Sequence, residues 1–389
     1  MGSLEESNWA WLPKNLLDMI LDNLVSLSEF VRFGAVCKPW QSVAMENKFK
    51  FVQNKFSTQV PFLIVPLKDN NDGERRSLYN ITHNKLYDFQ LRVPYKERLC
   101  GSSHGWLFGI EKSSSVTIMN PFSGSTIELP PIDSVVSASI DEISFEVTKV
   151  ILSANPASSP NDYIVAAIYG IHPNLAFIQA GDKAWTCIHK EWTCIDKERS
   201  MLLCDVINYK GRIFAVDSDK VLMIDVNRRV GALQVEEKEI APQIVHTERM
   251  YLVESSTGEL LLVQRILEIG DDSQHATSGF KVFKMLLDQF EEGLHMLVEV
   301  KNLGGDTMFL GDNHSICVLA SKWPGCEPNS IYYTDDYTDC IYYPPSGRHD
   351  MGIFNIVNGS FGTHYILDPS HNDMLPSIWI VPTVLGSSV

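Results

Sequence analysis

Trp11 to Lys48 reads WLPKNLLDMILDNLVSLSEFVRFGAVCKPWQSVAMENK, and its apolar residues fall at helical spacing. Leu12, Leu16, Ile20 and Leu24 recur every fourth residue and Leu17 and Leu21 widen the stripe, while Lys14, Asn15, Asp18, Asp22 and Asn23 fill the rest of the wheel. Pro13 suits the start of that helix, where a missing N–H is no loss and the fixed φ is already helical. Ser26 and Glu29 stand at capping-box spacing ahead of a second helix, which carries Phe30, Val31 and Phe33 toward Val36-Cys37. Lys38-Pro39-Trp40 breaks the run and opens a third helix, expected to end near Phe49, with Trp40, Val43 and Ala44 on its apolar side. So small a unit has little interior for so many large side chains, and an outside partner is expected to supply the missing core.

From about Gln59 the chemistry changes. Short β-rich runs follow one another, among them VPFLIVPL, GWLFGIE, SVTIMN, YIVAAIYG, GRIFAVDS, RMYLVES, ELLLVQRI, TMFLG, SIYYTDD and MGIFNIV, punctuated by Gly, Asn, Asp and Pro. That pattern predicts antiparallel hairpins and an all-β domain. A four-strand unit recurring about every 45 to 50 residues points to a β-propeller of six or seven blades, with a pair of β-sandwiches as the alternative. A propeller would close by pairing Val60 to Leu67 with Ser377 to Val384, which removes an exposed edge.

The ordered set Leu12-Pro13, Leu16, Ile20, Leu24, Leu27, Phe30, Val36-Cys37-Lys38 and Trp40 resembles the F-box. GSSHGWLF, NPFSG, VINYKGRIFAVD, LGDNHSICVLA, SIYYTDD and GIFNIVNGSF are similar to phrases of plant F-box proteins whose C-terminal domain is a KIB-type, kelch-like propeller. This resemblance implies an F-box over residues 8–50, a substrate-recognition propeller over 59–389, and a role in an SCF-type ubiquitin ligase. It further implies that Leu12, Pro13, Leu16, Leu17, Ile20, Val36, Cys37 and Trp40 contact the Skp adaptor, and through it a cullin-RING ligase, while the propeller holds an unidentified protein target. No cofactor and no catalytic residue is implied. A single Trp such as Trp40 also reads as core of the helical unit itself.

Composition fits that outline. The formal net charge is −16, and it lies in the large domain, because the acidic and basic residues up to Phe56 cancel. Phosphate-backbone binding needs clustered Lys and Arg, so a nucleic-acid partner is not expected. An acidic domain suits either a basic partner or solubility alone. The eight cysteines are scattered without a CxxC pair, which signals neither a zinc site nor a disulfide framework. No basic patch followed by an apolar stretch opens the chain and no run reaches the ~18 apolar residues of a membrane span, so nucleus or cytoplasm is the expected location.

Several residues invite a sharper chemistry. Asp335, Asp336 and Asp339 could hold a divalent ion, although a solvated turn is the commoner use of such a cluster. Asp312-Asn313-His314-Ser315 could place a catalytic His314, yet Asp-Asn is good hairpin-turn chemistry. His104 has no nucleophile beside it. Trp106, Trp185, Trp192, Trp323 and Trp379 suit blade packing better than a ligand box. Trp185 to Glu191 is copied at Trp192 to Glu198 with one change, His189 against Asp196. A seven-residue shift reverses strand facing, so only one copy can hold a blade register. Besides a non-catalytic ligase receptor, two other functions stay open: a kelch-type oxidase, and an F-box protein that works outside a ligase.

Overall fold

The computed structural model describes residues 9–24, 27–56, 60–68, 74–87, 98–110, 116–122, 124–132, 147–170, 173–188, 203–217, 220–229, 232–242, 249–270, 275–287, 297–323, 325–336, 350–366 and 376–381. A 3-10 turn over Trp9–Trp11 leads into α1 (Lys14–Asn23), α2 (Leu27–Gly34) and α3 (Lys38–Phe56). Pro13 caps α1, its carbonyl accepting from the N–H groups of Leu16 and Leu17. Helix α3 runs past the expected end near Phe49 because neither Gly nor Pro interrupts it before Phe56. Leu17, Leu21, Phe30, Phe33, Trp40, Val43 and Ala44 form the inside of this unit. Trp40 packs on Phe33 with tilted rings, centroids 4.6 Å apart, and donates its indole N–H to the Trp9 carbonyl at 2.9 Å. Asn47 on α3 donates to Asp18 on α1 at 2.8 Å.

Six sheets follow. Blade 1 holds β1 (Phe62–Lys68), β2 (Glu74–Asn80) and β3 (Lys85–Tyr87); blade 2 holds β4 (Arg98–Ser103), β5 (Trp106–Ile110), β6 (Val116–Met119) and β7 (Thr126–Glu128). Blade 3 is β8 (Val147–Leu152), β9 (Ile164–Tyr169), β10 (Asn174–Gln179) and β11 (Thr186–Ile188). Blade 4 is β12 (Asp205–Tyr209), β13 (Arg212–Val216), β14 (Lys220–Arg229) and β15 (Ala232–Pro242). Blade 5 is β16 (Arg249–Glu254), β17 (Leu260–Ile269), β18 (His275–Met285) and β19 (Leu297–Val300). Blade 6 contains β20 (Asp306–Leu310), β21 (Ile316–Leu319), β22 (Ser330–Tyr333), β23 (Gly352–Asn355) and β24 (Phe361–Gly362), and β25 (Ile378–Ile380) returns to blade 1. The sandwich alternative is thereby discarded, and the blade count is six.

The period-two alternation of the strands explains the ring. Successive residues face opposite sides of a blade, and each side meets a neighbouring blade, so both sets are apolar. On β1, Phe62 and Ile64 join the cluster shared with blade 2, while Leu63 and Val65 join the one shared with blade 6. The same split recurs around the molecule, giving one apolar cluster per seam. The seam between blades 1 and 2 is distinctive because its cluster also takes in the helical unit's Leu17, Phe33 and Trp40.

Three devices hold the ring shut. β25 pairs antiparallel with β1 in the register Phe62↔Ile380, Leu63↔Trp379 and Ile64↔Ile378, inside the expected closure. Polar stitches tie inner strands across seams: Leu152 N–H reaches Ser103 Oγ, and Asp205 accepts from Leu252 N–H at 2.8 Å while pairing with Lys149 at 2.8 Å. Finally, the turn between β20 and β21 crosses from blade 6 toward the opposite side. His314 N–H donates to Ser102 O of blade 2 at 2.9 Å, and Lys149 of blade 3 donates to Gly311 O at 3.4 Å. Blade 6 also breaks the regular meander, its sheet order being β21-β20-β22-β23-β24 with β20 parallel to β22.

Candidate functional site

The helical unit leaves a face uncovered. Trp9, Trp11, Leu16, Met19, Val36 and Met45 are six of the eleven large apolar side chains exposed among the described residues, although the unit is a small part of the chain. Exposure reaches 78% at Trp11, 60% at Met19, 56% at Val36 and 65% at Met45. Scattered apolar residues are normal on a surface, whereas a concentration of this kind marks an interaction site. It arises because α1 turns only Leu17 and Leu21 fully inward.

The eight residues assigned to the adaptor divide accordingly. Leu16, Val36 and Pro13 are exposed; Leu12, Ile20 and Cys37 are half-buried and lie against the apolar cluster. Leu17 at 1% exposure and Trp40 at 9% are interior, so they position the face without forming it. Trp9, Trp11, Met19 and Met45 were not singled out by spacing. Trp9 and Trp11 precede the helix, and Met19 and Met45 lie off the four-residue stripe.

Asp335 and Asp336 of the acidic cluster lie buried rather than in a solvated turn. They sit at the seam of blades 5 and 6, Asp335 bonded to His275 and Asp336 paired with Arg265 and Arg249, while Asp339 lies outside the described residues. Arg265, 1% exposed, bonds Asp336 Oδ1 and Asp350 Oδ2 at 2.9 Å each, Thr277 Oγ1 at 2.7 Å and the Thr334 carbonyl at 2.9 Å. Arg249 donates to the Asp336 carbonyl, and the Tyr251 hydroxyl to the Asp336 carboxylate at 2.9 Å. His275 meets Asp335 at 2.9 Å. Burial alone would lower the His275 pKa, but the hydrogen bond and charge of Asp335, with the charge of Asp350, hold it above the ordinary value. Among the described residues no group of three His, Cys, Asp or Glu is placed to hold a metal ion.

The remaining candidates resolve into structure. His104 is at φ 52° beside Gly105 in the β4–β5 turn. Asp312 to Ser315 forms the expected turn between β20 and β21; burial pushes the His314 pKa down to about 3, leaving a neutral ring. Trp106 and Trp185 belong to the seam of blades 2 and 3, where their indole N–H groups meet Asn155 Oδ1 and the Pro130 carbonyl. Trp323 and Trp379 belong to the seam of blades 6 and 1. Thr186–Ile188 of the first heptad forms β11 against β10, and the second copy lies outside the described residues.

A closed six-bladed ring carrying a three-helix unit with exposed apolar side chains defines a helix-bearing β-propeller. A family model described as KIB1-4 beta-propeller matches residues 78–355, and the chain belongs to that family. Among curated relatives, the F-box protein SKIP23 of Arabidopsis thaliana is 22% identical over 400 residues, covering 90% of both chains. The F-box protein At4g35733 of the same plant is 26% identical over 385 residues, covering 92% of this chain and 96% of its own. Among solved structures, the Cps50 (Swd1) β-propeller domain of Myceliophteria thermophila matches 79% of this chain and 82% of its own at 12% identity and a TM-score of 0.39.

Proposed function

We propose that this chain is the substrate-recognition subunit of an SCF-type E3 ubiquitin ligase, acting in the nucleus or cytoplasm. The helical unit recruits a Skp-family adaptor and through it the cullin-RING core, and the propeller holds a target protein for ubiquitination and proteasomal degradation. The chain supplies no catalytic group of its own. Tethering raises the effective concentration of target lysines near the ubiquitin-loaded enzyme, and that proximity is its contribution. The observation that carries this reading is the concentration of exposed apolar side chains on α1, on α3 and around Val36. The F-box relatives support it over most of the chain's length.

Leu16→Ala with Val36→Ala tests the reading without touching the interior. Interface anchors typically cost ~2 kcal/mol or more each on truncation. The double variant should keep its melting curve and lose co-purification of the Skp adaptor from plant tissue. Undiminished recovery of the adaptor would sink the docking face. Adaptor recovered without cullin would refute ligase assembly while sparing recruitment.

A further inference from the structure

The seam between blades 6 and 1 holds a cavity of about 430 Å³, walled by Tyr79, Tyr332, His364, Tyr365 and Ile366 with Glu327. That is within the ~300–1,000 Å³ of ligand-sized clefts. Its walls are fixed in advance. The Tyr79 hydroxyl, with its one proton, lies 2.7 Å from Asn84 Oδ1 and 2.8 Å from the His364 carbonyl oxygen, and its ring lies 4.7 Å from that of Tyr365. Tyr332 stacks on Phe309 at 5.0 Å, and its hydroxyl accepts from the Glu327 N–H at 3.2 Å. Such preorganisation lowers the ordering cost of a guest.

The cavity's charge and rim narrow the guest. Burial pushes the His364 pKa down to about 4, which leaves its ring neutral at pH 7, and Glu327 is the one acidic side chain, with no Lys or Arg, among the described wall residues. Glu327 is exposed at the wall, and nearby Lys85 turns its ammonium toward the Tyr87 ring at 5.6 Å. Ile366, one of the wall residues, is 83% exposed, so the rim offers apolar surface. The chain as a whole carries −16, which is compatible with a basic partner.

We propose that this cavity grips the target protein by an arginine side chain, its guanidinium pairing with Glu327 and lying on the Tyr365 ring, with an adjoining apolar residue of the target on Ile366. A planar guanidinium matches a carboxylate and stacks on an aromatic face, which an ammonium does less well. The assignment rests on the propeller being the target-holding half of the molecule, and it is independent of adaptor docking.

Titration calorimetry on the full chain tests it with acetyl-Leu-Arg-Leu-amide, the citrulline analogue of that peptide, and free agmatine. The arginine peptide should bind at least about tenfold more tightly than the citrulline peptide, a margin that Glu327→Gln should abolish. Ile366→Ala should weaken the arginine peptide severalfold, and both substitutions are at exposed positions, so melting should not change. Leu16→Ala with Val36→Ala should bind the peptide normally, which separates this outcome from failure of the adaptor reading. Equal binding of arginine and citrulline peptides, no binding, or indifference to Glu327→Gln would overturn the proposal. Agmatine binding as tightly as the peptide would also overturn it, by making the guest a free small cation.

Discussion

Replacing Arg265 with Met should destabilise the propeller more than most interior substitutions. The methionine fills much of the aliphatic volume but removes the guanidinium that reaches Asp336, Asp350, Thr277 and Thr334. Asp336 keeps Arg249 and the Tyr251 hydroxyl, whereas the Asp350 carboxylate keeps the Thr277 hydroxyl at 2.7 Å. Breaking a buried ion pair from one side costs about 3–5 kcal/mol, because the surviving charge stays out of water. At about 2 °C per kcal/mol for a domain of this size, the midpoint should fall by roughly 8 °C. The triple variant Arg265→Met, Asp336→Asn and Asp350→Asn removes the stranded charges as well and should recover at least half of that loss. Melts of the three proteins at one pH decide the matter. A single variant within about 2 °C of the parent, or a triple variant no better than the single, would refute the assignment of the loss to uncompensated buried charge.

Three further outcomes follow from the fold. Ending the chain at residue 376 removes β25 and exposes the edge of β1, so the product should aggregate or lose its cooperative melt; a soluble truncation with an unchanged melt would contradict closure. Stability should fall with acid between pH 6.5 and 4, since the neutral His364 of the folded state, at about 4, binds fewer protons there than the unfolded side chain. The loss is absent above pH 6.5 and reaches about 3 kcal/mol by pH 4; His364→Asn should flatten the slope of denaturant-measured stability across the window, and an unaltered slope would count against it. His275 runs the other way, its raised pKa giving stability that is present below the ordinary value and fades as pH rises. Gly311→Ala should cost more than ~2 kcal/mol, because φ is +154° and an added Cβ would run into Thr334 Oγ1; an unchanged urea midpoint would contradict that.

How far the sequence could be read depended on how each element meets its neighbours. Middle strands such as β9, β13 and β17 are buried on both faces, so their β-branched and aromatic runs stood out. Inner strands were harder. β4 reads RLCGSS, because Ser102 and Ser103 bond to neighbouring strands near the ring axis and an apolar pattern is not needed there. Short outer strands such as β3 and β7 are partly exposed and carry little pattern. The charge knot was misread for a different reason. Asp335 and Asp336 sit beside each other, but His275, Arg249 and Arg265 approach from another blade, and local spacing does not record such partners. The helical stripe predicted where the uncovered face begins, and it missed Met19 and Met45 because exposure follows the whole packing arrangement.

Pairing the last strand with the first has a consequence for synthesis. The helical unit and β1 are synthesised before blades 2 to 6, whereas Ile378–Ile380 follow them. Until the other strands have all been made β1 therefore lacks its final neighbour, and Trp379, which is buried in that seam, is not yet present. Such a nascent chain carries an open strand edge together with the apolar face of α1, the two surfaces most apt to stick to other chains. Early capture of the helical face by its partner would cover one of them before the other can close, so assembly and folding of this protein would be coupled in time.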